Sequence, residues 1–249
     1  MNTKEIISKS ILSPSQIYEY TINPYTGCQH ACSYCYAKFM KRFTGHTEVW
    51  GDFVDVKINA ADLLRKEVIR KKPGTVWISG VCDPYQPLEE QYQLTRRILE
   101  ILTMCQWPVV IQTRSPLILR DLDILKKMKH LEAGFSITTA DEDVRKIFEP
   151  NAPSIQERIG ALKILHEAGI RTYAMIAPML PKAEGLIDLL DGKVDYLLID
   201  KMNYGSADRI YKSHGWMDQK TPGYFRETAN RMAKVCRERG ILYKIVFNE

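Results

Sequence analysis

Six short runs rich in β-branched residues, each followed along the chain by a longer amphipathic segment, constrain the fold more than any other feature of this sequence. The runs lie at 18–22, 75–79, 108–113, 134–138, 172–177 and 196–200, and the segments of helical period at 60–71, 88–104, 118–128, 154–168, 185–190 and 222–239. Six strand-then-helix units in sequence predict parallel strands joined by right-handed crossovers. Both a partial (β/α)₆ barrel and a doubly wound sheet satisfy that pattern.

Several predicted helices carry sequence signals at their ends. Asn59 precedes the first, Ser154 and Glu157 form a capping box, and Gly169 and Gly240 follow predicted helix ends. The run 241–247 predicts one further strand after the sixth helix. We expect an α/β fold of the partial (β/α)₆ TIM-type barrel class, with chemistry on the loops that follow the strands.

The length of 249 residues and an apolar content of 45% fit a single domain with one large core. We expect an N-terminal extension at 1–19, the core barrel strands within 20–201, and a C-terminal helix and terminal strand within 202–249. No apolar run approaches the roughly 18 residues that a membrane span needs, and the N-terminus lacks the apolar segment of a signal peptide. The sequence therefore predicts a cytoplasmic protein without a membrane partner.

Three of the six cysteines crowd into eight residues, in the run Cys28-Gln-His-Ala-Cys32-Ser-Tyr-Cys35 directly after the first predicted strand. Without a signal peptide, such crowding indicates metal or redox chemistry rather than disulfides. Soft thiolate ligands suit iron–sulfur centres, and one loop can fold all three around a single cluster. Three ligands for a four-iron cube leave one iron open to a small chelating molecule.

A structural zinc site completed by His30 or His46 is the alternative, because zinc normally takes four nitrogen or sulfur ligands. Zinc knuckles usually supply paired ligands from two separated segments. Cys82, Cys105 and Cys236 are scattered singly and form no second pair. The pattern therefore favours an iron–sulfur cluster.

The C-x₃-C-x₂-C run, with Tyr34 before its last cysteine, resembles the signature of the radical S-adenosylmethionine (SAM) superfamily. The resemblance implies that Cys28, Cys32 and Cys35 hold a [4Fe–4S] cluster whose open iron is chelated by the amino and carboxylate groups of SAM. It further implies that an electron from the cluster cleaves SAM, and that the resulting 5′-deoxyadenosyl radical abstracts a hydrogen atom from a substrate. Tyr34 would then pack near the adenine, its alternative being ordinary core packing.

The rest of a SAM site is expected on the later strand ends. Gly80 permits close approach of the backbone to a ligand, and Asp83 matches the position that superfamily members use to hold the SAM amino group, although an Asp-Pro turn can also simply cap a helix. Arg114, Ser136 and Arg158 offer a guanidinium for a carboxylate and donors for ribose hydroxyls. Arg158 could equally form a surface ion pair.

Further phrases, including Gly45-His46, Thr95-Arg96 and the run 148–154, resemble the spore photoproduct lyase-related branch of the superfamily. That resemblance implies DNA or RNA as the favoured substrate class. Tyr36 matches a tyrosine implicated in hydrogen transfer in the lyase. The cysteine that returns a hydrogen atom there aligns with Gly80, so Cys82 is a candidate catalytic residue by proximity alone.

Three functions remain open. The leading hypothesis is a radical SAM enzyme of lyase or nucleic-acid-modifying type, supplied with electrons by a flavodoxin or ferredoxin. The second keeps the cofactors but takes a peptide or metabolite as substrate. The third is a non-enzymatic, zinc- or cluster-stabilised nucleic-acid-binding protein, consistent with a net charge of +5 and a patch of Lys126, Lys127, Lys129 and His130. No aromatic residues interleave that patch to stack on bases, which favours a solvated helix end.

Overall fold

A computed structural model describes residues 1–247 and contains eleven strands in that range. In chain order they are β1 (Asn2–Ile6), β2 (Leu12–Pro14), β3 (Tyr20–Ile22), β4 (Tyr25–Thr26), β5 (Phe53–Lys57), β6 (Val76–Ile78), β7 (Val109–Thr113), β8 (Leu131–Ser136), β9 (Arg171–Ile176), β10 (Tyr196–Ile199) and β11 (Leu242–Ile245).

The α-helices are α1 (Lys41–Thr44), α2 (Ala60–Arg70), α3 (Leu88–Tyr92), α4 (Leu94–Cys105), α5 (Leu122–Leu125), α6 (Glu142–Phe148), α7 (Ile155–Glu167), α8 (Leu186–Leu190), α9 (Asp208–Ser213) and α10 (Pro222–Arg239). Short 3₁₀ helices lie at Tyr36–Met40, Pro116–Asp121, Ala183–Gly185, Gly205–Ala207 and Met217–Lys220. Among the described helices, none is long and apolar enough to cross a membrane.

The order of strands in the main sheet decides between the two predicted architectures. From one edge to the other it runs β2, β3, β6, β7, β8, β9, β10, β11, with all pairs parallel except β2 with β3. A doubly wound sheet would reverse its strand order at a switch point. The unreversed order is that of a partial barrel, as expected, and β11 is the further strand predicted at 241–247.

The parallel strands of the main sheet bury apolar side chains in one core. Ile78, Ile111, Phe135 and Ile176 are completely buried at successive strands. Each buried side chain of this size contributes roughly 1.5–3 kcal/mol relative to exposure. The helices cover the outer face, as parallel sheets require.

A second, small sheet was not predicted. It has the order β1-β5-β4, with β1 parallel and β4 antiparallel to β5. Part of the segment expected as an N-terminal extension is therefore paired structure, in β1 and again in β2. Gly27 directly follows β4 with φ +95°, and an added Cβ would lie 2.3 Å from the Phe53 carbonyl oxygen. The small sheet thus fixes the backbone directly before the cysteine run.

The helical segments differ from the predicted ones at several places, and the short helices α1 and α9 were not predicted. The helix expected at 88–104 breaks at Gln93, φ +49°, because both carboxylate oxygens of buried Glu89 accept from the Thr95 amide at 3.0 Å. The segment expected at 118–128 is a 3₁₀ helix followed by the single turn α5. Helix α6 was not predicted, although Asp141 caps it through the Val144 amide at 2.9 Å.

Candidate active site

A cavity of about 550 Å³ opens at the carboxyl ends of the parallel strands. Segments that end or follow β6, β7, β8, β9 and β10 all contribute to its wall, as expected for a barrel. The predicted site residues that line it are Cys28, Cys32, Tyr34, Cys35, Tyr36, Gly80, Cys82, Asp83, Arg114 and Ser136. Only Arg158 among the predicted site residues does not line the cavity.

Residues 28–35, hereafter the cysteine loop, place three free thiols on one wall of the cavity. Cys28 and Cys32 are buried, and Cys35 is partly buried. Burial raises the pKa of all three thiols, that of Cys32 to about 12. Metal coordination stabilises the thiolate form, so binding of a metal centre would offset this cost of ionisation.

The donor set fits an iron–sulfur cluster better than one zinc ion. Within residues 1–247 no three His, Cys, Asp or Glu side chains converge as ligands of a single metal ion. A four-iron cube takes each thiolate at a different iron atom, so its ligands need only face one cavity. His30 lies with Nε2 3.2 Å from Asp83 Oδ2, and His46 contacts Glu48 and Asp55. Both histidines proposed as zinc ligands therefore face carboxylates.

The turn after β6 is held by Asn23, a residue that sequence reasoning did not select. Its Oδ1 accepts hydrogen bonds from the Gly80 and Val81 amides, both at 2.9 Å, and from Ser79 Oγ at 2.7 Å. Cys82 Sγ lies 2.9 Å from the same Ser79 Oγ. Asn23 thereby fixes the turn whose backbone and thiol face the cavity.

Asp83 is buried, and both of its carboxylate oxygens already have protein donors. Oδ1 accepts from Thr113 Oγ1 at 2.6 Å and from the Tyr85 amide at 2.9 Å, and Oδ2 accepts from the Arg114 amide at 2.7 Å. Burial alone would raise the pKa of Asp83, but these donors and the His30 contact lower it to about 2. The predicted role of Asp83 in binding the SAM amino group stays a prediction.

Arg158 does not form the surface ion pair given as its alternative, because it is completely buried, and it lies outside the cavity lining, so its role in binding SAM stays a prediction. Its Nη2 lies 2.6 Å from Glu149 Oε2, and its Nη1 donates to the Ser136 carbonyl oxygen at 3.1 Å. Arg114 reaches the same carboxylate from the cavity side, with Nε 3.3 Å from Glu149 Oε1. Tyr34 donates its hydroxyl proton to that oxygen as well.

Glu149 is therefore the central residue that sequence reasoning missed, and Tyr34, Arg114, Arg158 and Glu149 are hereafter the Glu149 network. Burial alone would raise the pKa of Glu149, but the charges of Arg158 and Arg114 and the bond with Tyr34 lower it to about 2. Its position between Phe148 and Pro150 was visible in the sequence, but no local pattern marks a glutamate as buried.

The other predicted residues have clear positions. Ser136 Oγ accepts from Gln112 Nε2 at 2.9 Å at the end of β8. Tyr36 donates its hydroxyl proton to the Gly80 carbonyl oxygen, which links the cysteine loop to the turn after β6. Burial raises the pKa of Tyr36 to about 12 and that of Cys82 to about 11.

An exposed row of aromatic rings begins at the cavity and continues outward. Tyr204, from the segment after β10, stacks on Tyr36 with centroids 6.0 Å apart, and Tyr36 stacks on Phe39 at 6.4 Å. Phe43 meets Phe39 edge to face at 6.2 Å. All four rings are at least 41% exposed, and they are hereafter the aromatic stack.

Fold and site together define a partial-barrel protein that carries a three-thiol loop in the cavity at the carboxyl ends of its strands. The family model described as the radical SAM superfamily matches residues 22–190. This chain belongs to that superfamily, which makes it an enzyme whose family implies SAM and an iron–sulfur cluster as cofactors.

Two of the proteins that are similar to this chain in sequence differ in how much is known of them from their names. An uncharacterized protein of Methanocaldococcus jannaschii is 40% identical over 204 residues, which are 80% of this chain and 74% of the relative. The radical SAM Nα-GlyT isomerase of Pseudomonas phage M6 is 26% identical over 161 residues, 64% of this chain and 32% of that protein.

Two solved structures share the fold. Spore photoproduct lyase complexed with dinucleoside spore photoproduct matches with a TM-score of 0.73 at 16% identity, over 98% of this chain and 82% of the lyase. Streptococcus suis SuiB bound to the precursor peptide SuiA matches with a TM-score of 0.58 at 16% identity, over 91% of this chain and 48% of SuiB. These likenesses confirm the partial-barrel fold predicted from the sequence.

Proposed function

We propose that this enzyme binds a [4Fe–4S] cluster at Cys28, Cys32 and Cys35 and abstracts a hydrogen atom from a nucleic acid. When bound, the cluster would supply the electron that cleaves SAM reductively. A flavodoxin or ferredoxin is the expected source of that electron. The proposal is supported by three thiols that face one cavity at the strand ends.

The cavity offers polar groups for SAM around these thiols. In the proposed complex Arg114 binds the SAM carboxylate, because its Nε and Nη2 belong to the Glu149 network while Nη1 takes no part in those bonds. Ser136 supplies a hydroxyl, and Gly80 allows close approach of the backbone. Tyr34 keeps its ring on the cavity wall while its hydroxyl is fixed.

The same cavity contains two candidate hydrogen donors to a substrate radical. The pKa of Cys82 is about 11, so its thiol retains its hydrogen at neutral pH. Tyr36 is also protonated there, with a pKa of about 12. We propose that one of these two groups is the hydrogen donor. Each already has a hydrogen-bond partner, Ser79 Oγ for Cys82 and the Gly80 carbonyl oxygen for Tyr36.

The aromatic stack is the observation that favours a nucleic acid over a peptide. Exposed aromatic rings bind single-stranded nucleic acids by stacking on successive bases, at roughly 1–3 kcal/mol per base. Two rings, Tyr36 and Tyr204, also line the cavity, so a strand stacked on them would present a base to it. Among the solved structures of similar fold, the lyase complexed with dinucleoside spore photoproduct agrees with a substrate of this class, whereas SuiB is bound to a precursor peptide.

Charge contributes less to the proposal than stacking does. The charged residues that line the cavity are Asp83, Arg114, Asp200 and Lys201, two of each sign. The patch of Lys126, Lys127, Lys129 and His130 precedes β8 and therefore lies at the opposite, amino-terminal edge of the sheet. None of its four residues lines the cavity.

The cofactor proposal is tested by anaerobic reconstitution with iron and sulfide, followed by dithionite and SAM. We expect wild type to form 5′-deoxyadenosine, Cys32→Ala to form none above background, and Cys236→Ala, a change within α10, to retain the activity. Absence of product in wild type, or undiminished product in Cys32→Ala, would refute it.

The substrate is tested separately by deuterium transfer into 5′-deoxyadenosine. The reconstituted enzyme is incubated with uniformly deuterated single-stranded DNA, RNA or a deuterated peptide pool. Deuterium from DNA or RNA supports the proposal, whereas deuterium from the peptide pool alone shows that the enzyme acts on peptides.

A further inference from the structure

Glu149 makes contacts with four different parts of the chain although it contacts no solvent. Its Oε1 accepts from the Tyr34 hydroxyl, from Thr138 Oγ1 at 3.0 Å and from Arg114 Nε at 3.3 Å. Its Oε2 faces Arg158 Nη2 at 2.6 Å. The carboxylate therefore joins the cysteine loop to the ends of β7 and β8 and to the start of α7.

The link to the cysteine loop is made at the residue between the second and third cysteines. Tyr34 is 6% exposed, and its hydroxyl also accepts from Arg114 Nη2 at 2.9 Å. The neighbouring Ser33 amide donates to the Phe148 carbonyl oxygen at 2.8 Å, next to Glu149 in sequence. Two adjacent residues of the loop are thus fixed to two adjacent residues at the end of α6.

The contacts of the Glu149 carboxylate hold it rigidly in place. A buried carboxylate is tolerated only with paired charges and satisfied hydrogen bonds. Here two guanidinium groups supply the opposite charges, and the hydroxyls of Thr138, just after β8, and of Tyr34 donate hydrogen bonds to Oε1, so each partner limits the positions of the others. None of these contacts requires a metal, because every atom involved belongs to the chain.

We propose that Glu149 is a positioning residue, which holds the cysteine loop against the cavity wall through the Tyr34 hydroxyl before any cluster is bound. This inference rests on the proposed role of the three cysteines and extends it. Glu149 acts on the cluster ligands without touching them, and the iron-free chain already presents Cys32 and Cys35 to the cavity.

The experiment compares amide hydrogen exchange of the full iron-free chain in wild type and Tyr34→Phe. This substitution keeps the ring and removes only the hydroxyl that reaches Glu149. Loss of a hydrogen bond to a charged group should speed exchange in peptides covering residues 28–36 by roughly tenfold. The matched control is Tyr196→Phe, whose hydroxyl donates to Glu132 Oε2 at 2.5 Å at the far edge of the sheet. Tyr196→Phe should leave the hydrogen exchange of residues 28–36 as fast as in wild type.

A second variant and a second measurement complete the test. Glu149→Gln should accelerate the same peptides if it folds, and the reduced cluster of reconstituted Tyr34→Phe should have an altered electron paramagnetic resonance spectrum and midpoint potential. Equal exchange in wild type and Tyr34→Phe would overturn the inference. If wild type binds no cluster, the proposed function fails, while the exchange data still decide whether Glu149 holds the loop.

Discussion

Tyr36 and Tyr204 stack with ring centroids 6.0 Å apart and planes inclined by 22°, although they come from opposite ends of the barrel strand order. Tyr36 follows the cysteine loop after β3, and Tyr204 follows β10. Both rings line the cavity. The pair therefore spans the open side of the partial barrel and forms the boundary between the cavity and the exposed part of the aromatic stack.

Replacing Tyr204 should weaken binding of single-stranded nucleic acid. Because one base–aromatic stack contributes roughly 1–3 kcal/mol, Tyr204→Ala is expected to raise the Kd for a labelled oligonucleotide by about tenfold or more in fluorescence anisotropy. Tyr204→Phe retains the ring and should bind like wild type. An unchanged Kd for the oligonucleotide in Tyr204→Ala would show that the aromatic stack does not contribute to nucleic-acid binding.

Asn23→Ala should reduce affinity for SAM. The substitution removes the acceptor for the Gly80 and Val81 amides and for Ser79 Oγ, which releases the turn after β6. We expect the Kd for SAM to rise by roughly tenfold in calorimetric titration of the reconstituted enzyme. The control is Asn59→Ala, which removes two bonds to Ser8 away from the cavity. Equal affinity in Asn23→Ala and wild type would contradict the prediction.

Glu149 should give the enzyme an acid-sensitive component of stability. Its pKa is about 2 in the folded chain against an ordinary 4.5. The stabilisation is fully present above pH 4.5 and is lost as the pH falls toward about 2, because the unfolded chain takes up the proton first. The difference in free energy of unfolding between wild type and Glu149→Gln should therefore shrink by about 3 kcal/mol over that range. Urea unfolding followed by circular dichroism measures it, and a pH-independent difference would refute the prediction.

Gly134 on β8 should resist even the smallest side chain. A Cβ there would lie 2.1 Å from Tyr173 Cζ, and that ring is buried. Gly134→Ala should lower the free energy of unfolding by about 1–3 kcal/mol through overpacking. Gly160→Ala, on α7 with no atom within 4 Å of the new Cβ, should instead raise it by about 0.5–1 kcal/mol. Thermal unfolding of Gly134→Ala and Gly160→Ala measures the two changes in stability. Changes of the same sign and similar size in both variants would contradict the prediction.

The repeated strand and helix pattern was sufficient to predict the parallel core, the terminal strand and the edge at which the cavity lies. It could not predict the small sheet, because β1 and β5 pair across about fifty residues of sequence and the segment between them lacks the long amphipathic helix that marks a strand-then-helix unit. The break at Gln93 was also hidden, since it depends on a carboxylate that is buried only in the folded chain.

In the site, too, local sequence predicted some residues and not those whose contacts depend on the folded chain. Residues on strand ends were found because parallel strands bring their carboxyl ends together, which placed Gly80, Arg114 and Ser136 in one cavity. Arg158 has an equally suitable side chain, but it lies on α7 and its guanidinium faces Glu149. Only tertiary structure distinguishes a guanidinium that faces a ligand from one that faces a buried carboxylate.

The bond between Tyr34 and Glu149 joins residues 115 positions apart in the chain. During synthesis, a ribosome therefore releases the cysteines long before it releases the glutamate that restrains them. In that interval the three thiols belong to a nascent chain without its anchor, open to oxidation and to stray metal ions. The contact between Tyr34 and Glu149 can therefore form only after residue 149 has been synthesised.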